Sequence, residues 1–247
     1  MPAKPAFEIT PMRAEDYERC VEIAVSAFTT NNKMCVNLGV PGEVYRTYAA
    51  ESCSKKKCVD TGLSLVARST EDGALMAFLF LKVFDLRDSS SKKAAKTSPA
   101  MAGLVEMVEK LYSKAIEAGS PPAGLSIGSL ASGKTLHCSM GGTLPIANGK
   151  GCGKALRIAA IEVCKARGFN TLLVEPAHDA TKHIWLKHCG GVVRAEQSTE
   201  TFVSKKGNSP LKGGDQTVSV VEVVVRKAQR DSGYFWPFYL VKVMLMS

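Results

Sequence analysis

Apolar positions recur along this chain with two spacings, and the alternation between them outlines a mixed α/β molecule. Residues 7–10 read as a short opening strand. Residues 13–28 follow with Tyr17, Val21, Ala24 and Phe28 three or four apart, the spacing of one helix face. A second helix is expected over 43–53. Residues 63–67 and 74–84 are rich in strand formers, and the Asp72-Gly73 pair between them predicts an antiparallel hairpin. Residues 86–98 carry almost nothing apolar beyond Leu86 and are expected to form a flexible loop. Ser98-Pro99 then opens a helix with Met101, Leu104, Val105, Val108, Leu111, Tyr112 and Ala115 on one face, ending near Gly119. The second half reads as a strand at 136–144, a helix at 154–167 closed by Gly168, a strand at 171–175 and a helix at 180–189. Extended segments follow at 192–203, 217–227 and 234–246. This order predicts a mixed sheet flanked by helices.

Composition narrows the class. At 247 residues the chain can bury a core without metal or disulfide support, and a single domain over 1–247 is expected. No apolar run approaches the roughly 20 residues of a membrane span, and residues 1–8 have no secretory apolar stretch, so a cytoplasmic protein with no membrane partner is expected. The eight cysteines are scattered with no CxxC pair, which points to free thiols and to no metal site. The net charge of +9 raises the question of nucleic acid. Its clusters, at 55–57, at Lys92, Lys93 and Lys96, and at Lys205-Lys206, sit among Ser, Thr and Gly without aromatics to stack bases. Nucleic acid is therefore not the expected partner, whereas an anionic small ligand suits the charge.

The segment Leu144-Pro145-Ile146-Ala147-Asn148-Gly149-Lys150-Gly151-Cys152-Gly153-Lys154 carries the clearest chemistry. Three alternate glycines stand after a predicted strand and before a predicted helix. Without Cβ atoms, their backbone amides can approach an anion closely, and the helix N-terminus adds unpaired donors and a favourable dipole. Lys150 and Lys154 strengthen the attraction. The segment is not a Walker loop, because Ala155 stands where Ser or Thr would ligate magnesium. Nor is it a dinucleotide fingerprint, which belongs near the first strand of a βαβ repeat.

The turn resembles the signature Gln/Arg-x-x-Gly-x-Gly/Ala of the GNAT superfamily of acyl-CoA N-acyltransferases, met by Asn148 through Gly153 with a departure only at Asn148. The likeness runs back to Thr143 and Pro145, forward to 173–175, and more loosely to 178–191. Met12-Arg13 with Glu15-Asp16, the segment 62–67, and Leu240-Val241-Lys242 resemble the arylalkylamine N-acetyltransferase branch. The resemblance implies an α/β (α+β), GNAT-like fold with a mixed, mostly antiparallel, splayed sheet flanked by helices. It also implies acetyl-CoA as co-substrate, with its diphosphate on Asn148, Gly149, Lys150, Gly151, Cys152, Gly153 and Lys154. Pantetheine would run along Gly141, Thr143 and Leu144, and Lys182 and Trp185 would line the channel. The implied reaction is direct attack by a small-molecule amine, with the protein a monomer or homodimer.

Amine acetylation requires a neutral amine, hence a base or a relay. Thr135, His137 and Ser139 alternate on the strand before the turn, and His137 is the only imidazole upstream of it, so His137 and Ser139 are the catalytic candidates. The resemblance would place an acid near 31–34, where the chain has Asn31-Asn32-Lys33-Met34, and a tyrosine at 186, where it has Leu186. His178, His183 and His188 are five apart, about 140° of rotation each, and do not share a metal-binding face. The readings that remain are acetylation of a small, arylalkylamine-like amine, acetylation of a protein or peptide, and CoA binding without efficient chemistry.

Overall fold

The computed structural model describes residues 6–225 except 86, 97 and 118–125, and excludes the side chains of 94 and 129. The expected strand at 234–246, the final residues of 217–227, the helix end near Gly119 and the Leu240-Val241-Lys242 match lie outside the described residues.

The elements in chain order are β1 (Phe7–Pro11), α1 (Tyr17–Thr30), α2 (Lys33–Asn37), α3 (Gly42–Ser52), α4 (Lys55–Cys58), β2 (Leu65–Ser69), β3 (Leu75–Val83), α5 (Ser90–Ala95), α6 (Pro99–Glu117) and α7 (Ile127–Ala131). They continue with β4 (Thr135–Thr143), α8 (Cys152–Ala166), β5 (Thr171–Val174), α9 (Asp179–His188), β6 (Val192–Ser198) and β7 (Thr217–Val224). One seven-stranded sheet runs β1-β2-β3-β4-β5-β7-β6. Every pairing is antiparallel except β4–β5. The fold is thus the mixed, mostly antiparallel α/β arrangement that the sequence predicts.

Side-chain alternation assigns the two faces of this sheet. Phe78 and Phe80 of β3 and Met140 of β4 pack with α1, α3 and α6, whereas Leu79, Leu81, Leu136 and Cys138 pack with α8 and α9. Each face therefore carries its own apolar layer, and β3 is buried on both sides.

The parallel pairing is short. It joins Thr135–Cys138 to Thr171–Val174 and then stops. Beyond Val174 the chain reads Glu175-Pro176-Ala177, and Pro176 has no N–H to continue a ladder. β4 runs on to Thr143 along β3 alone, so the sheet opens into a cleft between β4 and the end of β5.

One expectation is corrected. The segment 86–98 contains α5, whose Ala95 is buried and which packs against α3 and α6. Asp88, just ahead of this helix, receives hydrogen bonds from Lys57 (2.7 Å), from Lys82 (3.1 Å) and from the amide of Ser90 (3.0 Å). Burial works against its charge, but these donors outweigh it and hold the carboxyl well below the usual range. A polar composition that looked like solvated loop instead serves ion pairs that pin a short helix.

Candidate active site

The cleft is the mouth of a cavity of about 970 Å³ lined from both sides of the sheet. On one wall stands the glycine turn. Pro145–Ala147 forms a single 3₁₀ turn, and Gly149 and Gly151 then take φ of 76° and 83°, the left-handed region in which a Cβ is strained. Gly151 caps α8, so the amides of Cys152 and Gly153 have no carbonyl one turn earlier to bind. Nothing lies within 4 Å of where a Cβ at Gly149 or Gly151 would be, so the concavity is open above the backbone. This cradle fits a diphosphate.

The other proposed ligand-binding residues divide by position. Gly141, Thr143, Asn148, Gly149, Gly151, Cys152, Gly153, Lys154 and Trp185 line the cavity. Leu144, Lys150 and Lys182 are not among its lining residues. Leu144 donates its amide to Met76, Lys150 is exposed, and the Lys182 ammonium engages Glu196 on β6. Gly141 has a packing reason of its own, since a Cβ there would meet Leu79 at 2.8 Å and the Phe78 carbonyl at 3.2 Å. Trp185 is fully buried.

On the opposite face of β4, His137 and Ser139 come together. The register of β3 on β4 shifts between Phe80, opposite Met140, and Leu81, opposite Cys138, leaving Ser139 as the extra residue of a bulge. Its hydroxyl lies 3.0 Å from His137 Nδ1. The other imidazole nitrogen, Nε2, is 2.8 Å from Glu175 Oε2, and the phenol of Tyr112 donates to Oε1 of the same carboxylate. A hydrogen-bonded chain thus runs Ser139, His137, Glu175, Tyr112, joining β4, the end of β5 and α6. Phe84 meets the imidazole edge to face at 5.5 Å and the Tyr112 ring at 5.2 Å.

The chain is partly shielded, with the His137 and Glu175 side chains 16% and 13% exposed. Burial by itself would raise the Glu175 carboxyl. The His137 charge and hydrogen bond, the Tyr112 hydroxyl and Lys82 act the other way and hold it below its ordinary value. Burial, reinforced by the Glu175 charge, pushes the Tyr112 phenol well above its own. Glu175 is therefore an anion and Tyr112 a neutral donor at neutral pH.

Neither Glu175 nor Tyr112 stands out in the sequence as a site residue. Glu175 is the last residue of an expected strand, and Tyr112 occupies a core position of a helical stripe. No spacing in the sequence pairs them: the parallel register of the folded sheet sets His137 beside Leu173 and hence close to a carboxylate two residues further on. Asn32 also acquires a role. Its side-chain oxygen caps α2 by accepting from Cys35 N at 3.0 Å, and its amide donates to Ala177 O at 2.8 Å, tying α2 to the segment after Glu175. Thr135, by contrast, is buried in the sheet and does not line the cavity. His178 caps α9 by accepting from Ala180 N.

The chain matches no protein-family model and no curated protein in sequence. It does align with solved structures. Arylalkylamine N-acetyltransferase 2 from Aedes aegypti superposes with a TM-score of 0.66 at 12% identity, over 89% of this chain and 99% of that one. The C-terminal condensation domain of Ebony, in complex with beta-alanyl-dopamine, superposes with a TM-score of 0.67 at 18% identity, over 90% and 100%. Polyamine N-acetyltransferase of Drosophila melanogaster gives 0.63 at 11% identity, over 88% and 99%. The fold is that of the GNAT N-acetyltransferases. Among the described residues no helix is long and apolar enough to cross a membrane.

Proposed function

We propose that the protein transfers an acetyl group from acetyl-CoA to a primary amine by direct attack, with small arylalkylamines as the favoured acceptors. The observation that carries this reading is the meeting, in one cavity, of the glycine cradle and the Ser139–His137–Glu175–Tyr112 chain. Acetyl-CoA, when bound, supplies an activated acyl carbon: the amine nitrogen bonds to it, and the C–S bond breaks with its electron pair going to sulfur.

The residues of this chain handle the proton. Glu175 accepts from His137 Nε2–H, which leaves Nδ1 as an acceptor for the Ser139 hydroxyl. Ser139, turned by its bulge, takes the proton of the incoming ammonium as it hands its own to Nδ1. The imidazolium that results lies against a carboxylate already ionised to receive it. Phe84 and Tyr112 beside this chain, with Tyr48 and Phe28 elsewhere in the cavity lining, provide aromatic surface for an aryl group.

Calorimetric titration with acetyl-CoA, followed by an amine panel read as CoA release, tests the reading. Binding and turnover with arylalkylamines are expected, and His137→Ala should lower kcat by about 100-fold or more across pH 6 to 9. Absence of acetyl-CoA binding at millimolar ligand would refute it, and turnover unchanged by His137→Ala would remove His137 from the mechanism.

A further inference from the structure

Two buried donors in the cavity have no acceptor. Arg157, one turn into α8, donates Nη1 to Gly153 O at 2.7 Å and Nη2 to Thr181 Oγ1 at 3.4 Å, but its Nε is buried and unpartnered. The guanidinium carbon lies over the ring of Trp185 of α9, 5.8 Å from its centroid, and the indole Nε1 is likewise buried without a partner. Both residues line the cavity. Among the described residues no carboxylate pairs with Arg157. A partly enclosed cation with no counter-ion and an indole N–H with no acceptor are each costly unless a ligand completes them. Together they call for an anion or a strong acceptor.

Position indicates which part of the ligand this is. Gly149, Lys150 and Gly151 of the proposed diphosphate cradle are exposed, whereas the Arg157 guanidinium lies at its inner end, bonded to the Gly153 carbonyl and to Thr181 and set over the buried Trp185, with its charge also felt by Cys138 and Cys189. Cys138 is the last β4 residue paired with β5, at the closed end of the cleft, and the Ser139–His137 pair stands across β4 from it. Resting on the acetyl-CoA reading, we propose that Arg157, assisted by the Trp185 indole, receives the charge of the departing sulfur, holding CoA as its thiolate when the C–S bond breaks. The electron pair goes to sulfur and is met by the guanidinium, while the ammonium proton leaves by Ser139 and His137. Charge separation on transfer is thus compensated on both faces of the sheet.

The groups around this site are Arg157 and Lys154 from α8, Cys138 from β4, Cys189 after α9, Cys53 after α3, and Glu175 with the His137 bonded to it. Burial pushes the Cys138 thiol up to about 12 and the Cys189 thiol up to about 11, so neither titrates between pH 7 and 9. The test compares calorimetric affinities of CoA and desulfo-CoA over that range. A bound thiolate has its pKa lowered relative to free CoA, so CoA affinity should rise with pH, by about tenfold relative to desulfo-CoA. Arg157→Met should abolish the pH-dependent rise in the CoA to desulfo-CoA ratio, whatever the lost Gly153 contact does to both affinities, and Arg157→Lys should retain part of it. Lys154→Met should weaken both ligands alike. A CoA to desulfo-CoA ratio independent of pH in the unaltered protein overturns the assignment whatever the variants do, as does a pH-dependent rise that persists in Arg157→Met. If neither ligand binds the unaltered protein, the acetyl-CoA reading itself fails, a separate and recognisable outcome.

Discussion

At the residue scale, Glu175 concentrates the consequences. Its carboxylate is shared by an imidazole and a phenol, so Glu175→Gln should lower kcat by about 100-fold while leaving the KM for acetyl-CoA unchanged, read as CoA release. The same residue links stability to pH. A carboxyl whose folded pKa lies below the unfolded value of about 4.3 contributes stability above that value and loses it as pH falls towards the folded one. The difference in urea stability between the unaltered protein and Glu175→Gln should therefore shrink as pH falls below about 4. A constant difference down to pH 3 would contradict the argument. Tyr112→Phe removes one donor from a buried charge and should cost about 2 kcal/mol, with a smaller loss of turnover than His137→Ala.

At the element scale, glycines in the two halves of the site act through different physics. Gly151 has open space around a hypothetical Cβ but a φ of 83°, so Gly151→Ala meets only backbone strain, about 1–2 kcal/mol, and should weaken acetyl-CoA binding by disturbing the cradle. Gly142 has no such φ, yet a Cβ there would stand 2.7 Å from the Phe78 ring and 3.1 Å from Ile23. Gly142→Ala should therefore destabilise the fold by about 1–3 kcal/mol through overpacking between β4, β3 and α1. Denaturant midpoints together with acetyl-CoA affinities separate the two. The first variant should lose affinity more than stability, and the second the reverse.

For the whole molecule, the sheet is continuous and each face carries one apolar layer. Urea unfolding is expected to be a single cooperative transition, with tyrosine and tryptophan fluorescence and circular dichroism coincident. Two resolved transitions would contradict the single domain expected for 1–247. The element order was legible because amphipathic spacing changes with secondary structure, and the hairpin at Asp72-Gly73 and the strand, turn and helix around 136–167 were legible for the same reason. The segment 90–95 was not, because its helix is held by Asp88 bridging to Lys57 and Lys82, partners 31 and 6 residues away.

The sequence by itself determined the glycine turn proposed as the cradle, since missing Cβ atoms and free helix amides are both local properties. It also placed His137 and Ser139 on the strand that leads there. Only the tertiary structure decided the partners of that histidine. Glu175 is 38 residues from His137 and Tyr112 is 63 residues from Glu175, and neither spacing carries a periodic signal. A parallel register of four residues and a one-residue bulge assemble the chain from Ser139 to Tyr112. The physical reason is that the glycine turn is made of backbone, which neighbouring residues specify, whereas the hydrogen-bonded chain is made of side chains on different strands and helices, which only packing brings within bonding distance.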